Sequence, residues 1–361
     1  MITLKNMETS EESLLDIDGS YGEGGGQILR TALAFSAILK KSFRIHHIRS
    51  KRRNPGLRPQ HLKGVEALAQ ITKAMVRGAE MGSETVSFFP GDIHPGDYQF
   101  QIGHGKGSAG SVTLLLQTLL LPLSLSQERS TLILSGGTHV RWSPPFHYLS
   151  EVLYPTLRSM GIHVEASMER WGWYPKGGGI VRAEVLPASE WKPISLVERG
   201  SLKKIHGLSA TSHLPRHVGE RQKDYAVKRI EKEMEMDAEI EVLDHVPASG
   251  PGSFIFLVAE SEGALAGFSS LGRKGKRAEE VAEEAVDSLK NYIESEACID
   301  PHLADQLVPF MALSRGHSSF ITNQITEHLL TNLWVIHRFF EIKISISGEK
   351  GRKGRVDFFN G

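Results

Sequence analysis

The stretch EHLLTN at residues 327–332 opens an apolar run that continues to Arg338 and has the spacing of a helix. Asn323 and Thr326 precede the run as candidate caps, so the pattern predicts that His328 lies in the first helical turn. The exposed N–H groups of a helix start favour an anion such as a phosphate. A neutral imidazole there could attack phosphorus and form a covalent phosphoramidate, although histidine at a helix start is more often a capping or surface residue.

The composition is that of an ordinary globular protein, with 361 residues of which 40% are hydrophobic and 23% are charged. This length suits two domains, or one large domain with an insertion. Lys and Arg together balance Asp and Glu at 42 each, so a nucleic-acid partner would be held by a local basic patch. Such a patch suits an enzyme acting on an end better than a protein that coats a duplex. The single cysteine, Cys298, excludes an intramolecular disulfide and a cysteine-built zinc site.

Hydrophobic runs in the sequence are too short for a membrane helix, which needs roughly 20 apolar residues. The richest run, residues 112–125, is interrupted by Gln117, Thr118 and Pro122. Residues 1–16 are mixed and polar, without the apolar segment of a signal peptide. We therefore expect a soluble, cytoplasmic protein without a membrane partner.

The order of predicted elements indicates three related units with an insertion. A strand–helix–strand–helix–strand–strand order is predicted for residues 15–89, for residues 98–186 and again after residue 303, although the three sequences barely resemble one another. Residues 187–297 are richer in charge and predict two polar-faced helices with short strands. We therefore predict an α+β fold with a core of residues 1–186 and 298–361 and an insert domain of residues 187–297.

A glycine-rich segment, GEGGGQ at residues 22–27, leads into a predicted helix. Glycines at a helix start let backbone N–H groups approach an anion. Glu23, Gln27 and Arg30 fall at spacings of four and three, on one side of the helix. The spacing fits neither the dinucleotide fingerprint nor the lysine-ending phosphate loop. The segment therefore predicts either an anion site or a tight turn whose polar residues are solvated.

Further polar residues suit a ligand, each with a structural alternative. Arg49 and Arg52 belong to a dense basic turn that either contacts phosphate oxygens or only adds solubility. Gln117 is a lone amide on an apolar helix, where it either bonds to the backbone or faces a ligand. Asp305 suits a metal or a ribose hydroxyl and Gln306 suits a base edge, unless the two form a helix cap.

Three segments rich in glycine, proline or aromatic residues are less specific. Residues 103–110 form a second glycine-rich lead into an apolar helix. Trp142, followed by Pro144 and Pro145, predicts either a flat wall beside an aromatic base or a rigid turn. Residues 170–181 combine aromatic residues, proline and three glycines without a nucleophile, so we interpret them as a hairpin with close backbone approach.

Taken together, the motifs resemble those of the RNA 3′-terminal phosphate cyclases, from about residue 15 to the C-terminus. The matching motifs are GEGGGQILR at 22–30, NPGL at 54–57, SAGS at 108–111, LLLQT at 114–118, SGGT at 135–138, YPKGGG at 174–179, HLADQL at 302–307 and EHLLTN at 327–332. The resemblance implies three βαβαββ units like the C-terminal domain of translation initiation factor three, interrupted by a thioredoxin-like insert. It also implies ATP-dependent conversion of an RNA 3′-phosphate into a 2′,3′-cyclic phosphodiester, with release of AMP and pyrophosphate.

The resemblance implies a role for each matching residue. His328 is expected to attack the α-phosphorus of ATP and become histidyl-AMP, after which AMP passes to the RNA 3′-phosphate and the neighbouring 2′-hydroxyl closes the ring. Arg49 and Arg52 are expected near phosphate, and Pro144 beside the adenine. The other expected ATP-binding residues are Glu23, Gln27, Arg30, Gln117, His302, Leu303, Ala304, Asp305 and Gln306. A divalent metal, Mg²⁺ or Mn²⁺, is expected to offset the triphosphate charge, and a homodimer is compatible with the family.

The sequence departs from the common family pattern at two positions. His302 stands where bacterial members often have a tyrosine that stacks on adenine, and His139 stands where many members have aspartate. Related proteins suggest two alternatives, a non-catalytic cyclase-like RNA-binding factor in ribosome biogenesis and an enolpyruvyl transferase. The complete EHLLTN motif, with its histidine, favours the enzyme over both.

Overall fold

Helices and sheets alternate in the computed structural model, which describes residues 14–103, 109–188 and 190–361. The presence of both helices and strands agrees with the predicted α+β class. Within the described residues the strands form four sheets of four strands each. The first sheet and its helices are β1 (Leu15–Asp18), α1 (Gln27–Leu39), β2 (Phe43–His46), α2 (Pro59–Thr72), β3 (Met75–Arg77) and β4 (Val86–Phe89). Its strand order is β1-β2-β4-β3, in which β1 and β2 are parallel and the other neighbours are antiparallel.

The second sheet has the same order and strand directions as the first. Its elements are β5 (Asp97–Gln101), α3 (Val112–Ser124), β6 (Ser130–Gly136), α4 (Phe146–Tyr148), a π-helical turn (Leu149–Leu153), α5 (Tyr154–Ser159), β7 (Val164–Arg170) and β8 (Gly179–Val185). The strands are arranged β5-β6-β8-β7, with only β5 and β6 parallel. The sequence predicts one helix from about Phe146 to Met160, but a π-helical turn interrupts it. Pro155, which has no N–H to continue the helical ladder, lies just after that turn.

A third sheet has a separate apolar core. After β9 (Ser195–Leu196), its elements are β10 (Leu202–Ser212), α6 (His217–Met234), β11 (Ala238–Leu243), β12 (Gly252–Ser261), β13 (Leu265–Leu271) and α7 (Ala278–Ser295). The order is β11-β10-β12-β13, and a cluster of buried side chains drawn from residues 205–292 lies between this sheet and its helices. The sequence pattern predicted neither β9 nor β13. In β13, Gly267 interrupts the apolar alternation because the Tyr148 ring packs where its Cβ would be, 2.8 Å away.

The fourth sheet combines a strand that precedes the third sheet in the chain with strands that follow it. Its remaining elements are α8 (Pro301–Met311), β14 (Gly316–Thr322), α9 (Glu327–Phe339), β15 (Lys343–Gly348) and β16 (Gly354–Asn360). The order is β9-β14-β16-β15, and Leu196 of β9 pairs in parallel with Phe320 of β14. The chain therefore leaves this sheet after β9 and returns to it through α8.

The helices that carry the predicted site residues pack on one another. Helix α1 contacts α2, α3 and α9, and α8 contacts α9. Leu29, Leu116, Leu307 and Leu333 from these helices belong to one buried apolar cluster, which also receives side chains from the first, second and fourth sheets. Across the described residues we find no helix with the length and hydropathy that a membrane crossing requires.

Asp300 caps α8 and connects it to two other elements. Its buried carboxylate accepts hydrogen bonds from the backbone N–H groups of His302 and Leu303 at 2.8 and 3.0 Å. It also accepts from the Tyr148 hydroxyl at 2.9 Å and from the Gly267 N–H of β13 at 3.1 Å. One side chain therefore joins the second, third and fourth sheets.

Replacing Asp300 with alanine is expected to lower the free energy of unfolding by about 3 kcal/mol. Loss of the helix cap costs about 1 kcal/mol, and buried donors left without an acceptor cost about 1–3 kcal/mol. Urea unfolding at neutral pH measures the change. The control is Asp92→Ala, which removes an exposed pair with Lys40 and should cost less than about 1 kcal/mol. Equal losses in the two variants would contradict the role given to Asp300.

Candidate active site

The glycine-rich segment before α1 packs directly on α9. Gly22 has a φ of 55°, and a Cβ there would lie 2.3 Å from the Thr331 Oγ1. At Gly26, the residue before α1, a Cβ would lie 2.1 Å from Nε2 of the buried His61 ring. Both contacts exclude a side chain, so Gly22 allows the glycine-rich segment to lie against α9 and Gly26 allows the start of α1 to lie against α2.

His328 lies in the first turn of α9, as the sequence predicts. Thr326 caps this helix, and its hydroxyl accepts a hydrogen bond from the Leu329 N–H at 3.1 Å. The imidazole Nδ1 lies 2.7 Å from the Gln27 Oε1, and Nε2 lies 3.1 Å from the Glu23 Oε2. Because an amide oxygen only accepts, Nδ1 carries the proton of the neutral ring and Nε2 carries its lone pair. In the protonated ring, Nε2 instead donates to Glu23.

The surroundings of His328 favour its neutral form. Burial lowers the pKa of His328 below the ordinary value of 6.5. The carboxylate of Glu23 opposes this effect, and the positive charges of Arg30 and Arg52 add to it. At neutral pH the ring is therefore uncharged, with a nucleophilic nitrogen at Nε2.

A cavity of about 1200 Å³ has His328 among its lining residues. It is larger than the roughly 300–1,000 Å³ of a typical small-molecule site. Helices α1, α3, α8 and α9 and the basic turn after β2 all contribute to it. The predicted site residues that line it are Glu23, Gln27, Arg30, Arg49, Arg52, Gln117, Pro144, His302, Asp305, Gln306 and His328. The fold thus brings together residues that are up to 305 positions apart in sequence (23 to 328).

Two residues predicted for the same site do not line this cavity with their side chains. Leu303 and Ala304 are fully buried and pack in the apolar core. The cause is helical periodicity, because these two residues face the core while His302, Asp305 and Gln306 face the cavity. The predicted ligand contact is therefore compatible with His302, Asp305 and Gln306, and not with the side chains of Leu303 and Ala304.

Arg30 and Arg52 supply positive charge to the cavity. Arg30 is partly buried and makes no ion pair within the described residues. Burial lowers the pKa of Arg30 to about 10, against the opposing effects of Asp305 and Glu23, so the guanidinium stays protonated at neutral pH. Arg52 Nη2 lies 3.0 Å from the Glu23 Oε1. A carboxylate therefore lies between the histidine and a cation.

Arg49 has a structural role in addition to lining the cavity. Its Nη1 donates to the carbonyl oxygens of Asn54 and Gly56 at 2.7 and 3.0 Å, and its own φ is 54°. These bonds hold the basic turn closed and occupy the Nη1 nitrogen of the guanidinium. The sequence predicted either phosphate contact or added solubility for this turn. Arg49 has a third role, because its hydrogen bonds determine the shape of the turn.

Polar contacts link four helices around the cavity, α1, α3, α8 and α9. The Thr31 hydroxyl of α1 donates to the Asn332 Oδ1 at 2.7 Å, and the Asn332 Nδ2 donates to the Asp305 carbonyl at 2.7 Å. Gln117 of α3 donates through Nε2 to the Gln306 Oε1 of α8. Thr31 and Asn332 were missed by sequence reasoning, although Asn332 lies one helical turn after the predicted nucleophile and in the same motif.

The carboxyl group of Asp305 faces the cavity rather than capping the helix, because Asp300 is the cap. Within the described residues this carboxyl group makes no hydrogen bond or ion pair of its own. Burial raises its pKa well above the ordinary value, Asp300 adds to the increase, and Arg30 opposes it. A cation bound nearby would favour the charged carboxylate and so oppose the effect of burial.

His139, one of the two family departures, is not part of the cavity lining. Its ring is buried, with Nδ1 2.8 Å from the Thr138 Oγ1 and Nε2 2.8 Å from the His147 Nδ1. It stacks on Trp171 with ring centroids 4.2 Å apart. Burial lowers the pKa of His139 well below 6.5, so the ring is a neutral part of an aromatic cluster.

Residues 104–108 of the second glycine-rich segment lie outside the described residues.

Cavity residues from the third sheet and the loop after it were not predicted as a site. Phe254, Arg273 and Lys276 belong to the third sheet and the loop after it, yet they line the same cavity. Local sequence gives no signal for them, because their position depends on how that sheet packs on the other three. Trp142 at the cavity rim is 96% exposed and has a φ of 65°, which is uncommon for a bulky residue.

Replacing Glu23 with glutamine is expected to lower the pKa of His328 further. The carboxylate is the group that raises this pKa, so its removal extends the neutral form to lower pH. NMR titration of labelled histidine measures the change, with His328→Ala identifying the signal. Glu327→Gln, which removes a neighbouring carboxylate paired with Lys350, is the control. A higher His328 pKa in the Glu23 variant would contradict the geometry.

Comparisons with known proteins point to one family. The family model described as RNA 3′-terminal phosphate cyclase matches residues 21–346. The RNA 3′-terminal phosphate cyclase of Pyrococcus furiosus is 44% identical over 344 residues, which cover 95% of this chain and 98% of that protein. That of Methylococcus capsulatus is 45% identical, over 92% of this chain and 93% of that protein. The enolpyruvyl transferase NikO from Streptomyces tendae aligns with 7% identity and a TM-score of 0.37. That alignment covers 94% of this chain and 47% of the other.

Proposed function

Because the chain belongs to the RNA 3′-terminal phosphate cyclase family, we propose that it converts an RNA 3′-terminal phosphate into a 2′,3′-cyclic phosphodiester in an ATP-dependent reaction. The observation that carries this proposal is the orientation of His328. Gln27 holds the Nδ1 proton, so the lone pair of the neutral ring is at Nε2, in a cavity lined by arginines. An imidazole held in one tautomer at a helix start suits covalent capture of a phosphoryl group.

In the first proposed step, the Nε2 lone pair of His328 attacks the α-phosphorus of ATP. The new N–P bond forms as the bond from that phosphorus to the bridging oxygen breaks, and pyrophosphate leaves. Gln27 keeps its hydrogen bond from Nδ1–H as the ring becomes positively charged. Arg30 and Arg52 lie where they would stabilise the charge that develops on the phosphate oxygens. Because the Glu23 carboxylate contacts Nε2, it must move away from the ring before the attack. Its existing ion pair with Arg52 can hold it in the new position.

In the second and third proposed steps, the nucleotide is transferred and the ring closes. An oxygen of the RNA 3′-phosphate attacks the same phosphorus, the N–P bond breaks, and neutral His328 is restored. The adjacent 2′-hydroxyl then attacks the 3′-phosphorus, loses its proton, and displaces AMP. Attachment of AMP is needed because a phosphate oxygen is otherwise a poor leaving group. The 2′-hydroxyl is already held beside its target, so proximity lowers the barrier to closure.

A divalent metal fits the carboxylates of the cavity. Mg²⁺ and Mn²⁺ prefer oxygen ligands, and Mg²⁺ is commonly held by one or two carboxylates together with substrate phosphates. Glu23 and Asp305 would hold it here, since both line the cavity and the Asp305 carboxyl has no partner of its own among the described residues. When bound with the triphosphate, the metal would neutralise charge on the phosphate oxygens.

We further propose that the first, second and fourth sheets are the three family repeats and that the part of residues 187–297 that follows β9 is the thioredoxin-like insert. The shared strand order of those three sheets and the separate core of the third support this division. The pairing of Ser195 with Ser319 moves the start of the insert body past β9. We also propose a cytoplasmic location and a homodimer, and analytical sedimentation measures the oligomeric state.

The RNA end is proposed to enter past Trp142. The cavity exceeds the size of a typical single-ligand site, and its rim combines Trp142 with Arg273, which has no ion pair among the described residues. An exposed indole can stack on any base, and Arg273 can approach the RNA backbone. The third sheet would thereby contribute to RNA binding.

Replacing Trp142 with alanine is expected to raise KM for RNA about tenfold or more, because base stacking contributes about 1–3 kcal/mol. The reaction of the protein with ATP alone should be unchanged. Steady-state cyclisation at varied RNA concentration measures the first effect, and covalent labelling by ATP measures the second. Tyr174→Ala is a matched control, since Tyr174 is 72% exposed and does not line the cavity. Equal KM values in the two variants would contradict this RNA path.

The proposed function is tested with an RNA oligonucleotide that ends in a 3′-phosphate. With ATP and magnesium, the phosphate should become resistant to phosphatase, and the RNA mass should fall by one water. RNA with a terminal 2′-deoxyribose is the matched control, because it can accept AMP but cannot close the ring. Binding of RNA without any change in its end would instead support the non-catalytic alternative.

A further inference from the structure

A cluster of potential metal ligands lies outside the cavity, at the ends of β1 and β2. Among the described residues, Asp18, His46 and His47 are the only group of three whose ligand atoms all lie within 4.8 Å of one another. The Nδ1 atoms of the two histidines are 3.0 Å apart, and the His47 Nδ1 lies 3.3 Å from the Asp18 Oδ1. In a tetrahedral zinc site with bonds of about 2.0–2.1 Å, ligand atoms are about 3.3 Å apart.

The backbone conformation at His47 brings the two imidazoles together. Successive residues of a strand point to opposite faces, so His46 and His47 would normally be separated. His47 instead has a φ of 53°, in the left-handed region that only a few per cent of non-glycine residues adopt. The two rings consequently lie with centroids 4.5 Å apart.

Outer contacts orient two of the three candidate ligands. The His46 Nε2 lies 3.0 Å from the Asp16 Oδ2, so its proton is on Nε2 and its lone pair is on Nδ1, facing His47. Arg44 in turn donates to the other Asp16 oxygen at 3.1 Å. A carboxylate behind a histidine is the usual support of a metal ligand. Ser20 N–H and hydroxyl donate to the Asp18 Oδ1 at 2.9 and 2.7 Å, which holds that carboxylate in place.

From this geometry we propose that Asp18, His46 and His47 bind a transition-metal dication, of which Zn²⁺ suits two imidazoles and one carboxylate. Three protein ligands leave one position for water or a bound anion. The site is independent of the proposed catalytic reaction. It joins two loops that both lead to the cavity, because Asp18 precedes the segment with Glu23 and His47 precedes the turn with Arg52. Bound metal therefore holds the bases of these loops together.

Zinc titration of the full-length, chelator-stripped protein tests this site, in a His328→Ala background that removes the histidine–carboxylate pair of the cavity. Competition with a chromophoric chelator gives the stoichiometry and Kd. We expect one tightly bound zinc and a rise in Tm on its addition. His47→Asn removes an imidazole while suiting the left-handed backbone, and should weaken binding at least about 100-fold and abolish the Tm rise. Asp16→Asn should weaken binding about 10–100-fold through its support of His46.

The matched control is His317→Ala. His317 pairs with Asp357 at 2.9 Å, which is a histidine–carboxylate contact without the three-ligand geometry. This variant should bind zinc as tightly as the parent. Absence of a stoichiometric zinc in the parent would overturn the proposal. Equal affinities of the parent and His47→Asn would also overturn it, because the zinc would then be bound elsewhere.

Discussion

Replacing His328 with alanine is expected to abolish covalent labelling of the protein by ATP carrying a labelled α-phosphate. The loss should be on the order of 10⁴-fold or more, because the variant has no atom able to form the proposed N–P bond. The fold should be unaffected, since the side chain is half exposed and Thr326 rather than His328 caps the helix. Denaturing electrophoresis of the labelled protein measures the effect, and circular dichroism checks the fold.

His337→Ala is the matched control for this prediction. His337 lies on the same helix but is exposed and does not line the cavity. Its replacement should leave labelling unchanged. Label retained in the His328 variant would identify another residue as the nucleophile. Label lost in both variants would indicate damage to α9 rather than loss of one reacting group.

The second large effect is expected for Arg30→Met, which removes the positive charge while keeping most of the side-chain volume. Loss of one group that stabilises transition-state charge typically costs about 10²–10³-fold in rate. Arg30 should reach this range because it is partly buried and makes no ion pair among the described residues, so its charge is available to a phosphate. Single-turnover labelling measures the rate of the first step, and ATP titration measures binding separately.

Arg129→Met is the control for Arg30→Met. Arg129 is exposed and pairs with Glu184 at 2.8 Å, so its replacement should change the labelling rate little. A decrease of less than about threefold for Arg30→Met would contradict a role for this cation at the phosphates, since electrostatic stabilisation in such cavities is normally larger.

The sequence predicted those features of the site that depend on local pattern. Thr326 and the apolar spacing after it placed His328 in the first turn of a helix, and the structure confirms that position. The glycines before Gln27 predicted either an anion site or a tight turn, and Gly22 lies in a turn with a φ of 55°. These features follow from residues that are neighbours in the chain, so a single sequence suffices.

Features that depend on tertiary packing could not be predicted in this way. Arg273 joins the cavity only because the third sheet packs against the second, and Asn332 acts by linking Thr31 to Asp305. The backbone turn at His47 is invisible in a pattern that predicts a continuous strand through Ile48. Such contacts arise between elements, where residue type alone does not determine the partner.

The most direct measurement is the chemical stability of the label on the wild-type protein after incubation with α-phosphate-labelled ATP and magnesium. A phosphoramidate at His328 predicts a label that is acid-labile and alkali-stable, and that disappears on addition of RNA bearing a 3′-phosphate. RNA with a 3′-hydroxyl should leave the label in place. Absence of label from a folded protein that binds ATP would contradict histidine-based catalysis, as would a label that resists both acid and the 3′-phosphate RNA.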